Sequence, residues 1–199
     1  LNVLDHHKES SQYALYLQDE WQIANPFEVT LGIRATQYSQ TSDFYLEPRA
    51  SARYNLFKQL TLEGSWGSYN QFIHRIVNED VLEGSRDFWI LSDENLRPSF
   101  SEHLIFGMSY ETSNWLFSVE GYHKSMDNLF EFSRRFTGQA DYADYFFIGD
   151  GIAKGIELLV QKKFGKLSGW IGYTLGKVDH TFSVFNDGEP FPADNDRRH

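Results

Sequence analysis

The residue types that most often carry chemistry occur here without the spacing that catalysis requires. The seven histidines are scattered, and no H-x-x-x-H or H-E-x-x-H pair occurs, so the sequence does not predict a zinc site. The serine-hydrolase segment G-x-S-x-G is missing. The segment 149–155 comes close to a dinucleotide-binding loop, but Lys154 stands where the third glycine belongs. We therefore expect no catalytic residue, metal site or cofactor, and a protein that is not an enzyme.

Acidic residues are the other chemically notable group. The chain has 28 Asp and Glu against 18 Lys and Arg, a net charge of −10, which argues against a nucleic-acid partner because phosphate binding needs cations. Many of the acids fall in 73–101 and 186–196. They could hold Ca²⁺ that bridges lipopolysaccharide, but no EF-hand spacing is present, and solvation of outward loops is the simpler explanation.

Alternation of apolar and polar residues is the main structural signal of the 199-residue chain. Aromatic residues make up 17% of the chain, mean hydropathy is −0.49, and no apolar run reaches the roughly 18 residues of a transmembrane helix. In 45–56, apolar or small residues alternate with Glu47, Arg49 and Arg53, which predicts a strand with one apolar and one wet face. The same pattern predicts about eight strands, at 13–23, 28–38, 45–56, 60–72, 102–111, 115–132, 154–164 and 167–178.

The connections between these strands alternate in length. Short links fall near 24–27, 55–59, 112–114 and 165–166, while most of the others are longer, at 73–101, 133–151 and 179–196. Short periplasmic turns, long extracellular loops and strands that are apolar outside and polar inside are typical of outer-membrane barrels. We therefore predict an all-β, antiparallel, up-and-down transmembrane β-barrel segment that contacts outer-membrane lipid.

Aromatic side chains are predicted to form two belts at the membrane interfaces. One belt lies beside the short turns and the other near the long loops; their members are Trp21, Phe27, Phe57, Trp115 and Phe164, and Tyr38, Phe44, Phe72, Phe130 and Phe132.

Several segments, in order, resemble strand motifs of TonB-dependent outer-membrane receptors. They are YLQDEW (16–21) with LGIR (31–34), YLEPRASARY (45–54), LRP (96–98), GIAKGIEL (151–158), GWIGYTL (169–175) and DRRH (196–199). Each motif alone is weak, but the ordered set covers nearly the whole chain, and 47–53 and 191–199 resemble the Bacteroidota type.

The resemblance implies that residues 1–199 are a partial β-barrel domain, about eight meandering strands of a 22-stranded barrel in the bacterial outer membrane. We expect this piece to lack the signal peptide and the plug. The parent would import a scarce ligand (an iron chelate, cobalamin or a glycan) using inner-membrane energy, with the TonB complex as a partner through the missing N-terminal part. A passive porin-like or structural barrel, and a soluble β enzyme or lectin, stay open as alternatives.

Two sets of functional residues follow from this prediction. Charged residues expected to face the lumen, where they pair with a plug or with each other, are Glu47, Arg49, Arg53, Glu63, Glu120, Lys124, Glu157 and Lys163. Residues expected to bind the extracellular ligand, because they lie where strands meet the outside, are Tyr69, Gln71, His74, Trp89, Arg134, Tyr142 and Tyr145.

Overall fold

Long antiparallel strands make up most of the protein in a computed structural model, which describes residues 8–78, 86–132, 142–194 and 196. In chain order the strands are β1 (Gln12–Ala24), β2 (Phe27–Tyr38), β3 (Phe44–Asn55), β4 (Leu60–Gln71), β5 (Ile73–Asn78), β6 (Arg86–Leu91), β7 (Ser99–Glu111), β8 (Trp115–Phe132), β9 (Phe146–Lys162), β10 (Gly169–Phe182) and β11 (Phe191–Pro192). Short 3₁₀ turns lie at Tyr142–Tyr145 and Asn186–Gly188. Within the described ranges no helix is long and apolar enough to cross a membrane.

Nine of these strands form one open sheet in the order β1-β2-β3-β4-β7-β8-β9-β10-β11. Every long strand pairs antiparallel with its neighbour along the chain, and the β5–β6 hairpin is a separate two-stranded sheet inserted between β4 and β7. This up-and-down meander confirms the predicted antiparallel β-barrel segment, which is not closed on itself.

The register aligns the predicted apolar faces of β2, β3, β4 and β7. Leu31 lies opposite Ala50, Ala50 opposite Trp66, and Trp66 opposite Leu104. The outward side chains are open, with Leu31 41%, Leu104 58% and Ile171 75% exposed. The long strands therefore present an outward apolar surface instead of packing it into a compact interior.

The largest differences from the predicted strands lie in two of the long connections. β9 begins at Phe146 and not at 154, and the segment 73–101, expected to be a loop, contains the β5–β6 hairpin. The early part of β9 carries Gly149 and Gly151, whose positions lie against large neighbours: a Cβ on Gly149 would lie 2.5 Å from the Phe182 ring. Glycines at these crowded positions interrupt the alternation that reveals a strand.

Buried apolar residues are concentrated at the long-loop end of the sheet. Ile76, Ile90, Leu96, Tyr145 and Phe146 form a core that we call the hairpin core. It joins the β5–β6 hairpin to β9, and further members pack around it: Phe88, Phe130, Phe132 and Ala143.

The predicted outer aromatic belt is wrong for most of its members. Tyr38 and Phe72 are buried, with 1% and 5% exposure, and Phe130 and Phe132 pack on the hairpin core. Of that belt Phe44 is 70% exposed. Phe130 and Phe132 cover the apolar side of the hairpin, and Tyr38 and Phe72 pack against each other at 4.6 Å, so that these rings are removed from the outward surface.

Candidate functional site

The hairpin covers a cavity of about 790 Å³ on the inner face of the sheet. Polar groups from several long strands reach it, among them Arg34 of β2, Glu47 of β3, Tyr69 of β4 and His103 of β7. The hairpin supplies Ile73, His74 and other residues of β5. The site therefore lies between the sheet of long strands, which we call the wall, and the β5–β6 hairpin. It is at the end of the sheet that carries the long loops.

Glu47 is a buried carboxylate at the edge of this cavity, with 4% exposure. Its Oε1 accepts the backbone N–H of Asn70 at 2.7 Å, and its Oε2 lies 3.6 Å from Arg49 and 3.9 Å from Arg34. The β3–β4 ladder runs from Arg49–Gly67 to Asn55–Thr61, so the carboxylate satisfies a backbone donor beyond the end of the ladder. The charge is held between two cations.

Tyr69 lies flat on the wall beside this carboxylate. A Cβ on Gly67 would come within 2.9 Å of the Tyr69 hydroxyl, so glycine leaves the space in which the ring lies. The Arg49 guanidinium lies 4.9 Å from the ring centroid, and the His103 ring lies 4.7 Å away. Arg49, Tyr69 and His103 thus form a cluster that can offer aromatic surface and the cationic N–H groups of Arg49.

His74 is nearly enclosed, with 7% exposure. Its Nε2 lies 3.0 Å from the Ser92 hydroxyl, and its ring meets Phe130 edge-on at 4.6 Å. Burial lowers the pKa of His74 to about 4, against the opposing effect of a backbone hydrogen bond with Gln71. The ring is therefore neutral at pH 7 and joins the hairpin to the wall.

The predicted ligand-binding residues are brought together only in part. Tyr69, Gln71 and His74 line the cavity, and the Gln71 side-chain amide donates to the Ile73 carbonyl at 2.9 Å. Trp89 is 68% exposed on the hairpin, whereas Tyr145 is 7% exposed within the hairpin core. Arg134 and the Tyr142 side chain lie outside the described residues.

Sequence reasoning overlooked Arg34, which lies opposite Glu47 in the β2–β3 register. Its place on the polar face of a predicted strand was the signal that could have found it.

The predicted lumen residues nearer the short turns form a second charged group. Arg53 donates to Glu63 at 2.8 Å and lies 3.9 Å from Glu28. Glu120 lies directly opposite Glu157 in the β8–β9 register. A smaller cavity of about 320 Å³ opens over Arg53, Glu63 and Glu120.

The remaining two predicted lumen residues are lysines. The ammonium group of Lys124 lies 5.2 Å from the Tyr122 ring. Lys163 follows the last residue of β9 and pairs with Glu111. In the part of the chain that the structure describes, no three His, Asp or Glu side chains are grouped as a metal site.

Comparison with known proteins identifies the family to which this sheet belongs. A sequence model described as TonB dependent receptor-like, beta-barrel, matches residues 2–198. No curated protein sequence matches the chain.

Several solved structures share the fold. The siderophore receptor PirA from Pseudomonas aeruginosa superposes with a TM-score of 0.63 at 14% identity, over 88% of this chain and 37% of that one. The FrpB iron transporter from Neisseria meningitidis gives 0.65 at 14% identity, over 90% and 27%. The RagAB peptide importer gives 0.58 at 11% identity, over 91% and 24%.

The chain thus spans well under half the length of each of these structures. The family match over almost every residue agrees with the meander, the outward apolar face and the charged inner face. The chain belongs to the TonB-dependent receptor β-barrel family, whose members are outer-membrane proteins of Gram-negative bacteria.

Proposed function

We propose that the chain is part of a transporter that binds a scarce extracellular ligand and imports it with energy delivered by the TonB complex. Residues 1–199 would be a partial barrel domain of that transporter. The hairpin-covered cavity carries this proposal, because its volume of about 790 Å³ falls in the range of small-molecule sites. It lies where a ligand arriving from outside would first meet the inner wall.

The chemistry of the cavity suits a large polar ligand. The ring face of Tyr69 and the amide of Gln71 lie beside the cations Arg34 and Arg49. Stacking and hydrogen bonding of this kind can hold an iron chelate, cobalamin or a glycan. The similar structures include a siderophore receptor and an iron transporter, which favour an iron chelate, and also a peptide importer. Cobalamin and a glycan enter the proposal from the sequence resemblance.

The second charged group, nearer the short turns, supports the proposal that the barrel holds a plug. Like charges directly opposite each other, as at Glu120 and Glu157, destabilise a sheet unless a cation lies between them. A plug segment with basic side chains would supply that cation. An open, water-filled pore would leave these carboxylates to solvent and salt.

The test is uptake by cells that carry the full-length parent, in strains with and without TonB. Radiolabelled ferric citrate, cobalamin and a maltooligosaccharide are the probes. We expect saturable uptake of one probe that is lost without TonB. Tyr69→Ala should reduce it, while Phe57→Ala, an exposed change beside a short turn, should not.

Uptake that is unsaturable and independent of TonB would replace this proposal with the passive porin-like barrel. The sequence upstream of residue 1 gives a second check, since a plug and a TonB box support transport.

A further inference from the structure

An apolar groove on the outward face of β7–β10 ends at a row that contains two lysines. The groove has a volume of about 690 Å³ and is lined by Phe106, Gly121, Ile156 and Leu175. These residues form one cross-strand row, since Phe106 lies opposite Gly121, Gly121 opposite Ile156, and Ile156 opposite Leu175. Gly121 lies between Phe106 and Ile156 and has no side chain, so no side chain fills the groove at this position.

The next row toward the long loops carries two lysines beside a histidine. His123 lies opposite Lys154, and Lys154 opposite Lys177, and all three line the same groove. Lys154 is exposed, and Lys177 pairs with Asp179. Because the long loops of such barrels are extracellular, this row lies toward the outer leaflet, where lysines extend their ammonium groups to the interface.

Acidic residues limit where an anion can bind on this wall. Glu102, Asp127 and Asp150 lie farther toward the long loops on β7, β8 and β9 and are exposed. Asp179 lies beside Lys177, so the favourable position for a phosphate is between Lys154 and Lys177 on the Lys154 side, directly above the groove. Apolar surface and cations at this spacing match a lipid that carries a phosphate at the base of its acyl chains.

We propose that the groove binds one phosphorylated lipid of the outer leaflet, with an acyl chain along Gly121 and the phosphate at the ammonium groups of Lys154 and Lys177. The glycine is suited to such a role because a Cβ there would lie 4.0 Å from the nearest backbone oxygens. A side chain would fit, and its absence keeps the groove open. This site lies on the opposite face of the sheet from the ligand cavity.

The test is native mass spectrometry of the full-length receptor with two probes. One is lipid A with a single phosphate, and the other is the same lipid A after enzymatic dephosphorylation. We expect the receptor to prefer the phosphorylated probe about tenfold or more, because each lysine near a membrane surface favours an anionic lipid by roughly fivefold. Lys154→Gln with Lys177→Gln should abolish the preference.

Matched controls come from the same face of the sheet. Lys162→Gln changes an outward lysine at the short-turn end, 5.6 Å from the Trp115 ring, and should keep the preference. Gly121→Leu should weaken binding of both probes by filling the groove. Gly169→Leu, opposite Lys162 at the short-turn end of β10 and with nothing within 4 Å of an added Cβ, should leave binding unchanged.

The proposal is overturned if the double lysine variant keeps the preference or if Gly121→Leu binds like the wild type. Heat-modifiable gel mobility shows whether each variant folds. If one does not, benzoylphenylalanine in place of Leu104 in the otherwise unchanged receptor should crosslink the phosphorylated probe more strongly than the same group in place of Leu31. Equal yields at the two positions would also overturn the proposal.

Discussion

The membrane wall and the hairpin region are built on opposite principles. On the wall, large apolar side chains such as Leu104 and Ile171 are 58% and 75% exposed, as in barrels whose outward face contacts lipid. In the hairpin region, Ile90 and Leu96 are 3% and 0% exposed. Where water surrounds the chain, a two-stranded hairpin is not stable alone and needs a packed core. The same chain thus buries its large apolar side chains in the hairpin region and exposes them on the outward face of the long strands.

Removing a ring from the hairpin core should give the largest effect. Phe146 is 6% exposed and contacts the Phe132 ring at 5.9 Å. Phe146→Ala should destabilise hairpin docking by about 3–5 kcal/mol through lost burial and a residual cavity. Hydrogen exchange of the β5 and β6 amides in the full-length receptor measures it. Phe57→Ala, at 65% exposure, is the control, and equal protection in both variants would refute the core.

A charge on the lipid side should cost nearly as much. Ile33 is 44% exposed on the outward face of β2, and Ile33→Arg should destabilise the barrel by roughly 2–4 kcal/mol near the midplane. Arg49→Ala, on the inner face of β3, should cost far less. Unfolding of the full-length receptor in lipid vesicles measures both. Equal costs would show that the faces are assigned wrongly.

Acid should loosen the hairpin but not the wall. The pKa of His74 is about 4 in the folded protein, below the usual 6.5 of a histidine. The unfolded state binds the proton first, so docking stability is complete above about pH 6.5 and falls toward pH 4 by at most about 1.4 kcal/mol per pH unit. Hydrogen exchange of β5 against pH measures this slope.

His74→Gln is the control for that slope. Asp93 also loses stabilisation in acid: burial raises its pKa, but hydrogen bonds from Lys8 and from the Leu96 and Asn95 amides outweigh this and lower it overall. A shallower slope in His74→Gln assigns the difference to the imidazole. An unchanged slope would contradict that assignment.

The smallest effect is expected for an ion pair on the inner wall. Arg53 and Glu63 form a 2.8 Å contact with side chains about half exposed. Such pairs contribute about 0.2–1 kcal/mol. A double-mutant cycle with Arg53→Ala and Glu63→Ala measures their coupling, and a coupling well above this range would indicate a dry, plugged environment.

The two regions also differ in what the sequence reveals. Alternation such as that of Leu31 and Arg34 on β2 is a local property, so strands and faces were predictable. The β5–β6 hairpin was missed because its strands are short and its stability comes from distant rings such as Phe146. Glu47 was predicted to face inward, but its burial depends on where the β3–β4 ladder ends. That end is a tertiary feature without a local signal.

The central claim is that this sheet has lipid on one face and water on the other. The chain contains no native cysteine, so single cysteines at 29–34 can be spin-labelled in the full-length receptor in vesicles, against a cysteine-free background. Accessibility to oxygen should peak at positions 29, 31 and 33, and accessibility to a water-soluble nickel chelate at 30, 32 and 34. Accessibility without this period of two, or with the phases reversed, would contradict the account.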